Sequence, residues 1–483
     1  MQLTLTDFDI PANGRTLATD AIQTAIDQIA AAGGGTLTIT QGTFLTGMIH
    51  LRDHVELHLC RGAVLKASPN LDDHLPPVDS AGNGDHWHKT QKSFHLIVAQ
   101  GCRDIAITGP GSLDGNGTAW YDPVEPGAAW PLARDKDWKR MGALVLISEC
   151  QNVLLRDVQL GNVCNWTLHL HESDHVRVRD ILILNPAHAP NSDGIDITGC
   201  RNVSVSGCHI DTGDDAICLK TLPTGRSCED IAVTHCVLRT HCVALKLGAG
   251  ESFQDMRNVV FANCTVRGSH RAIGIYSLEG AVIENVVAAN ITFDTCAPLM
   301  FTRPIHIDLR RKSEESKLGA IRNICISGLM GESNGRSLLT AEPGAVLEDM
   351  LIKDMFLRIP CFDDPAPCGR EHGGGQFSSR TPEARVERAA FVIENARNLV
   401  MDNIRIQWPQ NTEIPEKWTF PTKLANGTHR QFTPEDWTLS PQPPVHAISA
   451  HNVHGGHIQS EGLAGWQGGD ILHLVDCNWA EKG

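Results

Sequence analysis

An all-β chain wound as a parallel β-helix is the fold class that the sequence predicts, and three observations predict it. A short phrase recurs along the chain at a near-constant interval, each interval holds short β-rich runs, and no long helix breaks the pattern once it has begun. The phrase is a polar residue, usually Asn or Asp, followed by an apolar one and then by alternating apolar positions. It stands at Asn152-Val153, His175-Val176, Asn202-Val203, Asp230-Ile231, Asn258-Val259 and Asn285-Val286, so the polar residues are 23, 27, 28, 28 and 27 positions apart. Weaker copies follow at Asn323, Asp349, Asn398 and Asn452, some at longer intervals that imply inserted loops. A period in this range means one supersecondary unit per repeat. Leucine-rich repeats would show a Leu-x-x-Leu-x-Leu phrase, and propeller blades would need longer periods and antiparallel hairpins. Stacked coils of parallel strands fit better.

Ahead of the repeats the pattern changes. Thr19 and Asp20 are placed to cap a helix running to about Ala32, with Ile22, Ala25, Ile26 and Ile29 on one face and Gly33-Gly34-Gly35 as its stop. One amphipathic helix before a solenoid reads as its N-terminal cap, because an open end would expose core and strand edges. Residues 1–483 read as a single β-helix domain. Segments near 361–390 and 409–444, rich in Pro and Gly or in Pro and Trp, read as loop insertions.

Composition narrows the function. The 483 residues are 41% hydrophobic, enough for a long core, and the net charge is −15. So acidic a chain is a poor partner for nucleic acid or for an anionic membrane. No run approaches the roughly 18 apolar residues of a membrane span. The start, Met1-Gln2-Leu3-Thr4, lacks a basic and then apolar leader, so the expectation is a cytoplasmic chain whose 16 cysteines are reduced thiols. They show no Cys-x-x-Cys pair and no Cys/His ligand spacing, so neither a metal nor another cofactor is expected.

Chemistry is sought in the strand that precedes each repeated phrase. Aligned by apolar residues, these strands read Trp166-Thr-Leu-His-Leu170, Asp193-Gly-Ile-Asp-Ile197, Asp215-Ala-Ile-Cys-Leu219, Val243-Ala-Leu-Lys-Leu247 and Arg271-Ala-Ile-Gly-Ile275. The register puts Asp193 and Asp215 in one column on neighbouring coils, with Asp214 beside them. Taken alone, Asn-Ser-Asp-Gly and Thr-Gly-Asp-Asp are good turn sequences. Acids on adjacent rungs repel one another, however, and that crowding raises the pKa of at least one member, as a general acid requires.

Over roughly residues 5 to 295 the chain resembles glycoside hydrolase family 28, the polygalacturonase-like enzymes. The matching residues include Gly33-Gly34-Gly35-Thr36, Gly111-Ser112-Leu113-Asp114-Gly115-Asn116-Gly117 and Asn165-Trp166-Thr167-Leu168-His169. Most specific are Asn191-Ser192-Asp193-Gly194-Ile195-Asp196 and, 21 positions from Asp193 to Asp214, Thr212-Gly213-Asp214-Asp215-Ala216-Ile217. The resemblance implies a right-handed parallel β-helix and an inverting hydrolysis in which Asp214 is the general acid and Asp193 and Asp215 activate water. It makes Asn191 a substrate contact and an oligosaccharide or polysaccharide the partner.

The chain also departs from that pattern. The family's Gly-His-Gly appears as Thr240-His241-Cys242, so His241 alone is matched, in a supporting catalytic role. The match asks Val243 to sit two places further along its strand than the repeat spacing puts it, and here the motif is followed. Where the family has an Arg-x-Lys that grips a uronate carboxylate, this chain has Gly274 and Tyr276. Lys246, His270, Arg271 and Tyr276 are the candidates for rebuilding that contact. The expected substrate is therefore a pectin-related fragment with a neutral or differently placed sugar at the cleavage site, such as a rhamnogalacturonan piece. A lyase or epimerase on the same fold, and a non-catalytic carbohydrate-binding solenoid, are the alternatives.

Overall fold

The computed structural model describes residues 1–79, 92–121, 140–295, 302–360, 388–410, 422–423, 429–430 and 445–482. The chain falls into two compact units. The first comprises Met1–Glu125, Pro131–Cys218 and Thr224–Val237, the second Pro126–Trp130, Leu219–Pro223 and Leu238–Gly483. In each, consecutive coils lay strand on strand in parallel register, as the repeat predicts.

In the first unit the strands that matter most are β1 (Ile97–Gln100), β2 (Val145–Ser148), β3 (Leu168–His171) and β4 (Ile195–Thr198). Ile97, Val145, Leu168 and Ile195 are rung partners, and so are Ala99, Ile147, Leu170 and Ile197. All eight are fully buried. Because parallel strands stand about 4.8 Å apart, each column is a stack of apolar side chains in van der Waals contact. Burial of one such Leu or Ile contributes about 1.5–3 kcal/mol, so the columns are the main cohesive element.

The second unit repeats the arrangement with β5 (Val243–Ser252), β6 (Arg271–Ser277), β7 (Arg303–Leu309), β8 (Ser337–Ala341) and β9 (Ala389–Gln407). Its column runs Leu247, Ile275, Ile307, Leu339 and Ile393, again fully buried.

The polar residue of the repeated phrase proves to be a backbone device. Asn152, His175, Asn202 and Asp230 in the first unit, and Asn258, Asn285, Asn323, Asp349, Asn398 and Asn452 in the second, all have φ between 54° and 60°. That left-handed conformation bends the chain between strands, and Asn, Asp and His tolerate it better than β-branched residues do. The bends also stack. The Asn285 amide donates to Asn258 at 3.1 Å and accepts from Asn323 at 3.3 Å.

The N-terminal helix α1 spans Thr19–Ala31 and buries Ile22, Ala25, Ile26 and Ile29, the face expected from its spacing. Its start differs from the sequence reading. Ala18 occupies the N-cap without a side-chain bond, and Thr19 instead accepts from the Gly47 amide at 2.8 Å. The hydroxyl ties the helix to the neighbouring coil instead of capping it. Among the described residues the cysteines are free thiols.

Replacing Asn285 tests the bend. Asn285→Ala loses two ladder bonds and keeps the left-handed strain, and should cost about 1–2 kcal/mol. Asn285→Gly, which carries no such strain, should cost less in the same urea titration.

Candidate active site

Strands elsewhere in the first unit alternate buried with exposed residues, as Asp174–Arg179 and Arg201–Ser206 do. On β2, β3 and β4 every residue is buried, on both faces. The face opposite the apolar columns carries polar groups, and buried polar groups need partners and a reason to be there. His169 and Asp196 are rung partners on this face, both fully buried, and His169 Nε2 lies 3.0 Å from Thr198 Oγ1. Trp166 packs edge-on against the His169 ring, centroids 5.0 Å apart. His171 meets Ser148 Oγ at 2.8 Å through Nδ1, and burial holds its imidazole below the ordinary range.

The three aspartates stand at the entrance to these strands. The Gly194 amide donates to the Asp215 carbonyl at 2.8 Å and the Ile195 amide to Ala216 at 2.9 Å, which places Asp193 and Asp215 on adjacent rungs as the repeat register predicts. Both are buried, at 3% and 2% exposure, while Asp214 is half-buried. The Asp215 amide donates to Asp214 Oδ1 at 3.0 Å, which orients that carboxylate.

The glycines of the two motifs are explained by backbone contact. A Cβ on Gly194 would lie 2.4 Å from the Ala216 carbonyl oxygen, and one on Gly213 would lie 2.5 Å from that of Ala187. Any side chain at either position would push apart the coils that bring the acids together. Gly213 also donates to Ser192 Oγ at 3.1 Å, and Thr212 bonds the Ser192 carbonyl, so the two motifs brace each other. Asn191 is held by Arg140, whose Nη2 donates to its Oδ1 at 2.8 Å and whose Nη1 donates to the Cys164 carbonyl at 2.8 Å.

In the second unit, β6, β7 and β8 are likewise buried throughout. His241 is half-buried in the turn before β5. Val243 pairs with Arg271, so these two coils follow the repeat spacing. Lys246 pairs with Gly274, which puts its buried side chain in the column of the missing arginine. His270 and Arg271 are buried, and the His270 carbonyl accepts from the Arg303 amide at 2.9 Å.

Gly274 and Tyr276 turn out to be one feature. A Cβ on Gly274 would sit 2.5 Å from Tyr276 Cε2 and 2.7 Å from its hydroxyl, so the phenol ring folds back over the glycine. Tyr276 is 1% exposed, packs with Ala249 and Leu278, meets the His306 ring edge-on at 5.1 Å and brings its hydroxyl 3.4 Å from His306 Nδ1.

The sequence reading passed over the next coils. Arg303 pairs with Arg271, and His306 with Gly274. Arg303, His306, Asp308, Arg310 and Arg336 are all buried, and Arg310 Nε donates to Asp308 Oδ2 at 2.6 Å. Burial, and then the charges of Arg271, Arg303, Arg310 and Arg336, hold the His306 imidazole well below its ordinary range. The signal was present in the sequence, since Arg303-Pro-Ile-His-Ile-Asp-Leu309 has the spacing of Arg271-Ala-Ile-Gly-Ile-Tyr-Ser277. Its interval of 32 residues, longer than the repeat, hid it. Farther along, ligand atoms of His446, Asp470 and His473 lie within 4.8 Å of one another, the one all-second-unit group among the described residues with metal-ligand spacing.

Comparison with known proteins agrees with this geometry. The profile of the glycosyl hydrolases of family 28 matches residues 78–354, more than half of the chain. The "Probable polygalacturonase" of Vitis vinifera is 30% identical over 223 residues, which is 45% of this chain and 44% of that protein. An endo-polygalacturonase of Pectobacterium carotovorum is 25% identical over 349 residues, 70% of this chain and 84% of that one. Among solved structures, the exopolygalacturonase of Thermotoga maritima superposes with a TM-score of 0.62 at 22% identity, covering 84% of this chain and 92% of that one. The fold is thus a right-handed parallel β-helix. By its profile match, the chain belongs to the glycosyl hydrolases of family 28.

Proposed function

We propose that the chain hydrolyses a pectin-related oligosaccharide, of galacturonan or rhamnogalacturonan type, with inversion at the anomeric carbon. The observation that carries this is the pair of buried aspartates on adjacent rungs, Asp193 and Asp215, with Asp214 beside them. An inverting glycosidase needs one carboxylic acid to protonate the leaving oxygen and carboxylate on the other face of the sugar to activate water. Asp214, the more exposed of the three and oriented by the Asp215 amide, suits the acid. Asp193 and Asp215, enclosed and fixed by the strand ladder, suit the water. Arg140 holds Asn191 in place to meet a sugar hydroxyl. Relatives named as polygalacturonases favour galacturonan as the substrate class.

Replacing the family's Arg-x-Lys by Gly274 and Tyr276 then alters the grip on the sugar as a single coupled change. Tyr276 fills the space that an arginine at 274 would need. Restoring the arginine alone would force the ring out, and restoring the lysine alone would leave a void.

Two outcomes are expected. Asp214→Asn should lower kcat on the cleaved oligosaccharide by about 10²–10⁴ with the fold intact, and proton NMR of fresh wild-type product should show the inverted anomer first. Retention of configuration would rule out this assignment of the acids. For the coupled pair, Gly274→Ala should cost about 1–3 kcal/mol by overpacking. In a Tyr276→Ala background the same substitution should cost almost nothing, a coupling that a denaturation double-mutant cycle measures.

A further inference from the structure

The last described coils of the second unit bring together side chains that the glycosidase reading leaves unused. Two further strands are involved, β10 (His446–Gln459) and β11 (Leu472–Val475), in parallel register with Ile448 on Leu472 and Ser449 on His473. The Ala447 amide donates to the Asp470 carbonyl at 3.1 Å, so His446 and Asp470 stand where the same two coils meet. Asp470 and His473 are three residues apart, and His446 lies 24 and 27 positions before them. Local ligand spacing does not reveal this group, because coil stacking assembles it.

Ligand atoms of all three residues lie within 4.8 Å of one another. The Asp470 amide donates to His446 Nδ1 at 3.0 Å, so that nitrogen presents a lone pair. Asp470 Oδ2 lies 3.6 Å from the same nitrogen, too far for a hydrogen bond, and a carboxylate has no proton to offer it. Two electron pairs thus face a shared space. Their separation is close to the roughly 3.3 Å between two ligands of a tetrahedral ion with bonds of about 2.0–2.1 Å. The His473 ring is stacked on that of His446, with centroids 4.9 Å apart and planes inclined by 18°, and His451 meets His473 edge-on at 6.2 Å. His446 and His473 are half-buried and the Asp470 side chain is 69% exposed, so ions reach the group and the carboxylate can move.

We propose that His446, Asp470 and His473 form a binding site for a divalent transition-metal ion such as Zn²⁺, which ties β10 to the coil that carries β11. Two imidazoles and a carboxylate suit zinc and its neighbours, whereas Ca²⁺ and Mg²⁺ prefer oxygen ligands alone. The cation takes the lone pair that the Asp470 amide now holds, and that amide, at an exposed residue, turns to water. Water also completes the coordination. The coil that is tied is one that apolar burial holds weakly, since Ile471, Leu474 and Val475 are exposed by 41%, 41% and 38%. A metal bound only by the folded chain stabilises the folded chain. The site does not rest on the glycosidase reading.

Calorimetric titration of the full chain with Zn²⁺, after metal is removed with EDTA, provides the test. Binding of about micromolar affinity or better is expected, and His473→Ala and Asp470→Asn should each weaken it about tenfold or more. Zn²⁺ should raise the Tm of the wild type and leave that of His473→Ala unchanged. Where circular dichroism shows that His473→Ala has not folded, Asp470→Asn, at an exposed position, carries the comparison. X-ray absorption of the Zn²⁺-loaded wild type should show nitrogen and oxygen at about 2.0–2.2 Å. Sulfur at about 2.3 Å puts the ion on a cysteine and overturns the site. Binding in the millimolar range alone, or binding of undiminished strength in both variants, overturns it too. Tight binding that leaves the wild-type Tm unchanged overturns the tie between the coils.

Discussion

Each rung of a parallel β-helix sits about 4.8 Å above the last with its side chains in register, and most of this molecule follows from that spacing. Stacking places like on like. For apolar residues it is cohesive, so Leu247, Ile275, Ile307, Leu339 and Ile393 form one continuous column. For amides it is also cohesive, because Asn285 donates to Asn258 and accepts from Asn323. For charges of one sign the same geometry is unfavourable. Asp193 beside Asp215 and Arg271 beside Arg303 are therefore the informative rungs, because stacking sets like charge on like.

The motifs that carry the acids mix chemistry with packing. Gly194 follows Asp193 because the coil above comes too close for a Cβ, and Gly213 precedes Asp214 for the same reason. Ser192 and Thr212, which look like ordinary turn residues, lock the two segments together. A turn reading and a catalytic reading of these sequences are thus compatible, since the tight turns are what bring three carboxylates to one edge of one sheet.

Much of this was legible in the sequence, for definite physical reasons. The repeat was visible because each coil needs a residue that accepts a left-handed bend, and from Asn152 to Asn285 Asn, Asp or His supplies it every 23 to 28 positions. The register of Asp193 on Asp215 and of Lys246 on Gly274 followed from aligning apolar positions, which the core enforces. Thr19 misled as a helix cap because its hydroxyl had a tertiary partner that no local rule reveals. Arg303 and His306 were missed because the 32 residues from Arg271 to Arg303 exceed the repeat interval. The ring of Tyr276 over Gly274 could not be read at all, since two substitutions seen one at a time look like two losses.

Charge at long range then bears on which substrate these sites can meet. With a net charge of −15 the chain repels a polyanion, and the repulsion acts over about 8–10 Å in physiological salt. A long galacturonan brings many carboxylates within that distance, whereas a short fragment brings few. A net charge of this sign therefore disfavours long polyanions more than short ones. The exchange of the family's Arg-x-Lys for Gly274 and Tyr276 removes two cations, while Lys246 stands on the rung beside Gly274.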